Sequence, residues 1–133
     1  MGPHANYTCP GDTLGQIVDA ARDMKLPIHL HVSEEDVQVE KAREETSLTP
    51  FGILDRAGGF DCPVLVGHGL WIEEEDLKFL KEDTWFAFCP KTYLKLASGK
   101  GGFFDYYKSL NFGFGTDGAA TSNTLNPVEQ ARL

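Results

Sequence analysis

The sequence has no Cys-x-x-Cys pair, no apolar run long enough to cross a bilayer and no basic cluster, and each absence removes a class of function. Its three cysteines, Cys9, Cys62 and Cys89, are odd in number and widely spaced. That leaves no disulfide framework, no thiolate zinc knuckle and no dithiol redox centre. They suit a reducing compartment. With Gly2-Pro3-His4 after Met1 in place of a basic and then apolar leader, a cytoplasmic location is expected, and no membrane partner. Twelve Lys and Arg against twenty Asp and Glu give a formal net charge of -8. Such a surface repels phosphates, so nucleic acid is not an expected partner. No linker or low-complexity stretch interrupts the chain, and residues 1–133 are read as one unit without an internal boundary.

What is present is a regular alternation of two periods. Leu14, Ile17, Val18, Ala21 and Met24 recur at helical spacing, with Asp12 to open the helix and Pro27 to end it. Ile28 to Val32 then reads as a strand, Glu34 to Glu45 as a charged surface helix, and Thr49-Pro50 as an N-cap followed by proline at the first helical position. Further strands are expected at Pro63 to Gly67, Trp85 to Cys89 and Phe112 to Gly115. Helices are expected at Glu73 to Glu82, at Phe103 to Leu110 and from Pro127. Strands separated by helices give an α/β fold with a parallel sheet.

Each strand is apolar until its last residues, where it gains reactive groups: His31 and then Glu34, His68, Cys89, and Asp117. In a parallel sheet these ends share one rim, where α/β proteins assemble their sites. In "HLH" the two-residue period sends His29 and His31 to one face, with His31 nearer the rim. His29, deeper in the strand, is expected to be a hydrogen-bonded core residue. Taken singly, glycines around His68 and the turn residue Asp117 have ordinary backbone explanations. Two histidines and an aspartate at the same end of three strands are not required by turn chemistry. Imidazole with carboxylate suits zinc, iron or manganese.

"GPHANYTCP", "PIHLHVSEE", "VLVGHGLWI", "CPKTYLKLASG" and "FGFGTDGAATSN", in that order, resemble the amidohydrolase superfamily. The nearest branch holds S-adenosylhomocysteine and methylthioadenosine deaminases, guanine deaminase and the triazine chlorohydrolases. The resemblance implies the second half, about strands four to eight, of a TIM-like (β/α)8 barrel. It implies that His31 and Asp117 are metal ligands, Glu34 the proton shuttle, His68 the histidine that orients water or polarises substrate, and His4 a substrate contact. The implied reaction is attack of metal-activated water on an electron-poor ring carbon, Asp117 taking the water proton, Glu34 moving protons to ring nitrogen, and ammonia or halide leaving. One divalent metal is implied, zinc before iron or manganese, with a small heterocyclic substrate. Amide hydrolysis on the same scaffold, and a non-catalytic α/β ligand-binding domain, are the alternatives.

Two departures qualify the implication. Relatives carry His-Asn-Pro and then a Ser-Asn pair at the end of the seventh strand, where this chain has Phe88-Cys89-Pro90 and Thr92-Tyr93. That reads as a pocket that has lost polar groups, and it puts a purine nucleoside in doubt. Cys89 reads as a small buried residue and Lys95 as a loop anchor. The family's first-strand His-x-His pair has no counterpart here, so weak metal binding, no turnover by this chain alone, and self-association through exposed half-barrel edges are expected.

Overall fold

A computed structural model describes residues 1–9 and 12–133. Four strands form one parallel sheet in the order β1-β2-β3-β4: β1 (Ile28–Val32), β2 (Val64–His68), β3 (Thr84–Phe88) and β4 (Asn111–Phe114). The chain before β1 lies along its free edge. His29 N–H donates to Met1 O, His31 N–H donates to His4 O, and Ala5 bridges His31 in parallel. β4 is the other edge.

Helix α1 (Asp12–Asp23) buries Leu14, Val18 and Ala21, one face of the 3.6-residue period. After β1 come α2 (Asp36–Thr46) and α3 (Pro50–Arg56). The start of α3 is fixed twice: Pro50 is preset for the first turn, and the Thr49 hydroxyl accepts the Gly52 N–H at 2.9 Å. The Thr49 hydroxyl also donates to the fully buried Asp76 at 2.5 Å, tying α3 to the 3-10 turn Glu74–Phe79 between β2 and β3. Beyond β3 lie α4 (Pro90–Leu96) and α5 (Phe103–Tyr106), and beyond β4 the short helices α6 (Ala119–Ser122) and α7 (Pro127–Gln130).

The core lies between the sheet and these helices. Ile28, Leu30, Val32, Val64, Val66, Phe86 and Phe88 alternate inward from the strands against Leu14, Val18, Phe51, Leu54 and Phe103. Phe86 joins Phe51 and Phe103, each at a centroid distance of 6.1 Å, and Phe103 stacks on Phe88 at 4.3 Å. Each such buried ring contributes about 1.5–3 kcal/mol. Gly101 permits the closest crossing: a Cβ there would sit 2.1 Å from Leu70 O, so the loop leading to α5 can lie on the chain after β2 only as glycine.

Several expectations need correction. His29 is exposed rather than core, because the sheet face opposite the helices carries no covering layer among the described residues; Trp85 on β3 is half exposed for the same reason. Glu73 to Glu82 is a 3-10 turn of six residues, not an α-helix. Phe103 to Leu110 breaks into α5 and a further 3-10 turn. After β3, where no helix was among the expected ones, Pro90 opens α4 at the first-turn position that proline's fixed φ favours.

Candidate active site

The rim is built where three strands stop, and the backbone bends sharply there. Ser33 after β1 (φ 50°), His68 ending β2 (φ 67°) and Asp117 after β4 (φ 54°) all adopt the left-handed conformation. That conformation is costly for a residue with a Cβ, and it persists only where surrounding structure enforces it. For His68 it decides the outcome. Strict alternation would group it with Val64 and Val66, yet its ring lies against the His31 ring, with centroids 5.3 Å apart and planes at 21°.

His31 projects from β1, half-buried, with its Nδ1 2.8 Å from the backbone carbonyl of His4. A carbonyl only accepts, so Nδ1 carries the hydrogen and Nε2 keeps its lone pair. The His4 ring sits 4.9 Å from that of His31 and is held by Thr8 through Nδ1 at 2.8 Å. Glu34 leaves the end of β1 toward His68, and its Oε1 is 3.5 Å from His68 Nε2. Glu34, His68 and Asp117 each offer one donor atom, and these three lie within 4.8 Å of one another. Asp117 is braced by the Gly118 N–H, which donates to its Oδ1 at 2.6 Å.

Burial sorts the protonation states. His68, 2% exposed, is held down to about 4, first by burial and then by the neighbouring His31, and is neutral at pH 7. Burial, helped by the Asp117 charge, raises the Glu34 carboxyl against the pull of His31 and Gln38. For Asp117 partial burial works upward, but the Gly118 amide, the nearby hydroxyls of Thr121 and Thr92 and the His68 ring prevail, and its carboxyl lies below the usual range. Two neighbouring carboxyls are thus pushed in opposite directions, the usual arrangement for an acid and a base sharing a site. Cys89 is buried, and burial with the Asp117 charge pushes its thiol up to about 12. With no cation beside it among the described residues, the thiol stays protonated at neutral pH.

The site's wall is tied together by long-range bonds. Trp71 Nε1 donates to Ser98 O at 3.1 Å, and Ser98 Oγ donates to Glu35 Oε1 at 2.8 Å. Lys95, on α4, donates from Nζ to Ala120 O and Asn123 Oδ1, each at 2.6 Å, and so anchors the segment after Asp117. A separate open groove of about 760 Å³ between α2 and the Glu74–Phe79 turn contains none of the rim residues. Arg43 there bridges Glu73 and Glu75, so the guanidinium already has its counter-charges.

The model of the amidohydrolase family matches residues 1–133. The chain belongs to the amidohydrolase family. This amidohydrolase chain is 40% identical over 135 residues to a 5-methylthioadenosine/S-adenosylhomocysteine deaminase of Dictyoglomus thermophilum, covering 100% of itself and 32% of that protein. It is 40% identical over 130 residues to the enzyme of the same name from Aquifex aeolicus, covering 96% of itself and 30% of that protein. It therefore spans about a third of the length of these curated relatives. A zinc-bound adenosine deaminase from Xanthomonas campestris superposes with a TM-score of 0.89 at 28% identity, over 98% of this chain and 30% of that one. A zinc-bound atrazine chlorohydrolase from Arthrobacter aurescens superposes at 0.83 over 96% of this chain and 28% of that one, and at 20% identity shows a shared fold.

Of the residues singled out from the amidohydrolase motifs, Glu34, His68 and Asp117 share one small volume, His31 stacks on its edge and His4 lies beyond His31. The donor set fits a divalent cation: the Glu34 and Asp117 carboxylates lie beside the His31 imidazole, whose Nε2 lone pair is left open by its carbonyl partner. Tyr93 was missed. Its position reads as lost polarity, yet the longer side chain brings a hydroxyl back to the rim, 3.3 Å from His68 Nδ1. The sequence signal for it is a tyrosine in the first turn of a helix opened by Pro90, long enough to reach back to the strand end.

Proposed function

We infer that residues 1–133 form one unit holding the second half, about strands four to eight, of a (β/α)8 barrel, with the segment beside β1 standing for strand four. The whole enzyme is a metal-dependent hydrolase that attacks the C–N or C–Cl bond of a nitrogen heterocycle. The observation that carries this is the meeting of Glu34, His68 and Asp117 donors within 4.8 Å, beside a His31 ring with an open Nε2. The names of the relatives, deaminases of purine compounds and a triazine chlorohydrolase, two of them zinc-bound, support the same class.

His31 and Asp117 would hold the ion, zinc before iron or manganese. A divalent cation here supplies acidity to water and polarises the reacting centre. Asp117, a carboxylate over a wide pH range, takes the proton released by water. Glu34, whose raised pKa lets it carry a proton closer to neutrality, gives that proton to a ring nitrogen as water adds and takes one back from it as the intermediate collapses, while the proton held by Asp117 leaves with the amine as ammonia or passes to solvent when chloride departs. His68, neutral and buried, orients the water or the substrate, and His4 contacts the heterocycle. A cytoplasmic setting fits three free cysteines. The open edge of β4 and the uncovered face carrying Trp85 and His29 favour self-association of the isolated chain.

Exchanging residues 1–133 for the matching third of the Dictyoglomus thermophilum deaminase tests the activity. A zinc-loaded chimera is expected to release ammonia from methylthioadenosine or guanine, or chloride from atrazine, and Glu34→Gln should cut that release by about 10²-fold or more. A folded, zinc-loaded chimera that hydrolyses none of these counts against the reading.

A further inference from the structure

We propose that Tyr93 is a positioning residue that holds His68 in the Nε2–H tautomer, so that the ring presents a hydrogen-bond donor to the rim rather than a free lone pair. Tyr93 lies on the first turn of α4, 6% exposed, and its hydroxyl oxygen accepts the Cys89 N–H at 3.0 Å. The hydroxyl hydrogen then needs an acceptor of its own, and His68 Nδ1 at 3.3 Å is the one in reach. Were Nδ1 protonated, two hydrogens would face each other or the tyrosine hydrogen would be buried without a partner.

The other end of the ring agrees. Nε2 faces Glu34 Oε1 at 3.5 Å, with an Asp117 oxygen within the same 4.8 Å cluster. Ionised carboxylates only accept, so they favour a hydrogen on Nε2. Both ends of the imidazole therefore ask for the same tautomer. In a neutral histidine the partner of one nitrogen fixes the role of the other. His31, backed by a carbonyl, is left with an open Nε2, whereas His68, backed by a hydroxyl, is left with Nε2–H.

That His68 uses this hydrogen on water or substrate rests on the hydrolase reading; the tautomer does not. The test reads the tautomer without turnover, so the two can fail separately. Long-range ¹H–¹⁵N correlation spectra of the imidazoles are recorded on the metal-free chain at pH 8, for wild type and Tyr93→Phe. In the wild type, His68 is expected to show a pyrrole-like Nε2 and a pyridine-like Nδ1. In Tyr93→Phe only the carboxylate end still favours Nε2–H, so the two nitrogen shifts should move toward each other, while the amide spectrum stays that of a folded chain. A wild-type His68 protonated on Nδ1 overturns the proposal. So does a folded Tyr93→Phe whose His68 shifts match the wild type. If the variant does not fold, the wild-type spectrum decides alone.

Discussion

His31 and His68 stack with their ring centroids 5.3 Å apart, yet the groups behind them are opposite in kind: a backbone carbonyl from His4 and a phenolic hydroxyl from Tyr93. Two adjacent imidazoles at one rim are thereby given different free nitrogens. The arrangement depends on the positive φ of His68, which turns a residue at a core-facing position of β2 toward the end of β1.

The frame beneath this rim is held by Thr49 and Asp76. Thr49→Ala removes the N-cap of α3 and leaves buried Asp76 without its hydroxyl donor, and should cost about 1–3 kcal/mol in urea unfolding. Thr49→Ser, which keeps the hydroxyl, should recover most of that loss. Equal destabilisation by both changes would show that the methyl group, not the hydroxyl, matters.

Asp76 also gives a pH dependence away from the rim. Burial lifts its carboxyl above the ordinary value of 3.8, despite the bonds from Thr49 and the Glu73 amide that pull it down. An acid with a raised folded pKa favours the folded state most below its unfolded pKa, and that contribution is lost as pH rises through the folded value. The stability of wild type relative to Asp76→Asn should therefore fall as pH rises from below the ordinary carboxyl value through the higher folded one. A difference that grows with pH over this window would mean that the capping bonds outweigh burial.

Sedimentation at micromolar concentration should show a dimer or larger species. Among the described residues nothing covers the sheet face on which Trp85 is 50% exposed, and none pairs with the outer edge of β4. Trp85→Lys should shift the population toward monomer, and a monodisperse wild-type monomer would refute the expectation.

Much of this architecture could be read from periodicity. The four strands fall within one or two residues of where apolar runs between breakers placed them, because a strand buried against helices must be apolar and short. α3 was legible for a local reason, the Thr49-Pro50 start. The stretch after Pro90 was not, since proline can either end a strand or open a helix, and only packing of Tyr93 against Phe88 and His68 selects the second. His29 was misplaced because the two-residue period tells which face a side chain joins but not whether that face is covered. Convergence of His31, Glu34, His68 and Asp117 followed from parallel topology. The hydrogen-bonding of each ring did not, because it depends on a backbone carbonyl and a side chain 25 residues away.

The central claim is that the rim can hold a divalent cation through His31 and Asp117. Calorimetric titration of the metal-stripped chain with zinc tests it most directly. Weak uptake of no more than one ion per chain is expected, with affinity reduced by at least about tenfold in His31→Ala and in Asp117→Asn. Zinc binding of unchanged affinity in both variants, with the fold intact, would contradict it.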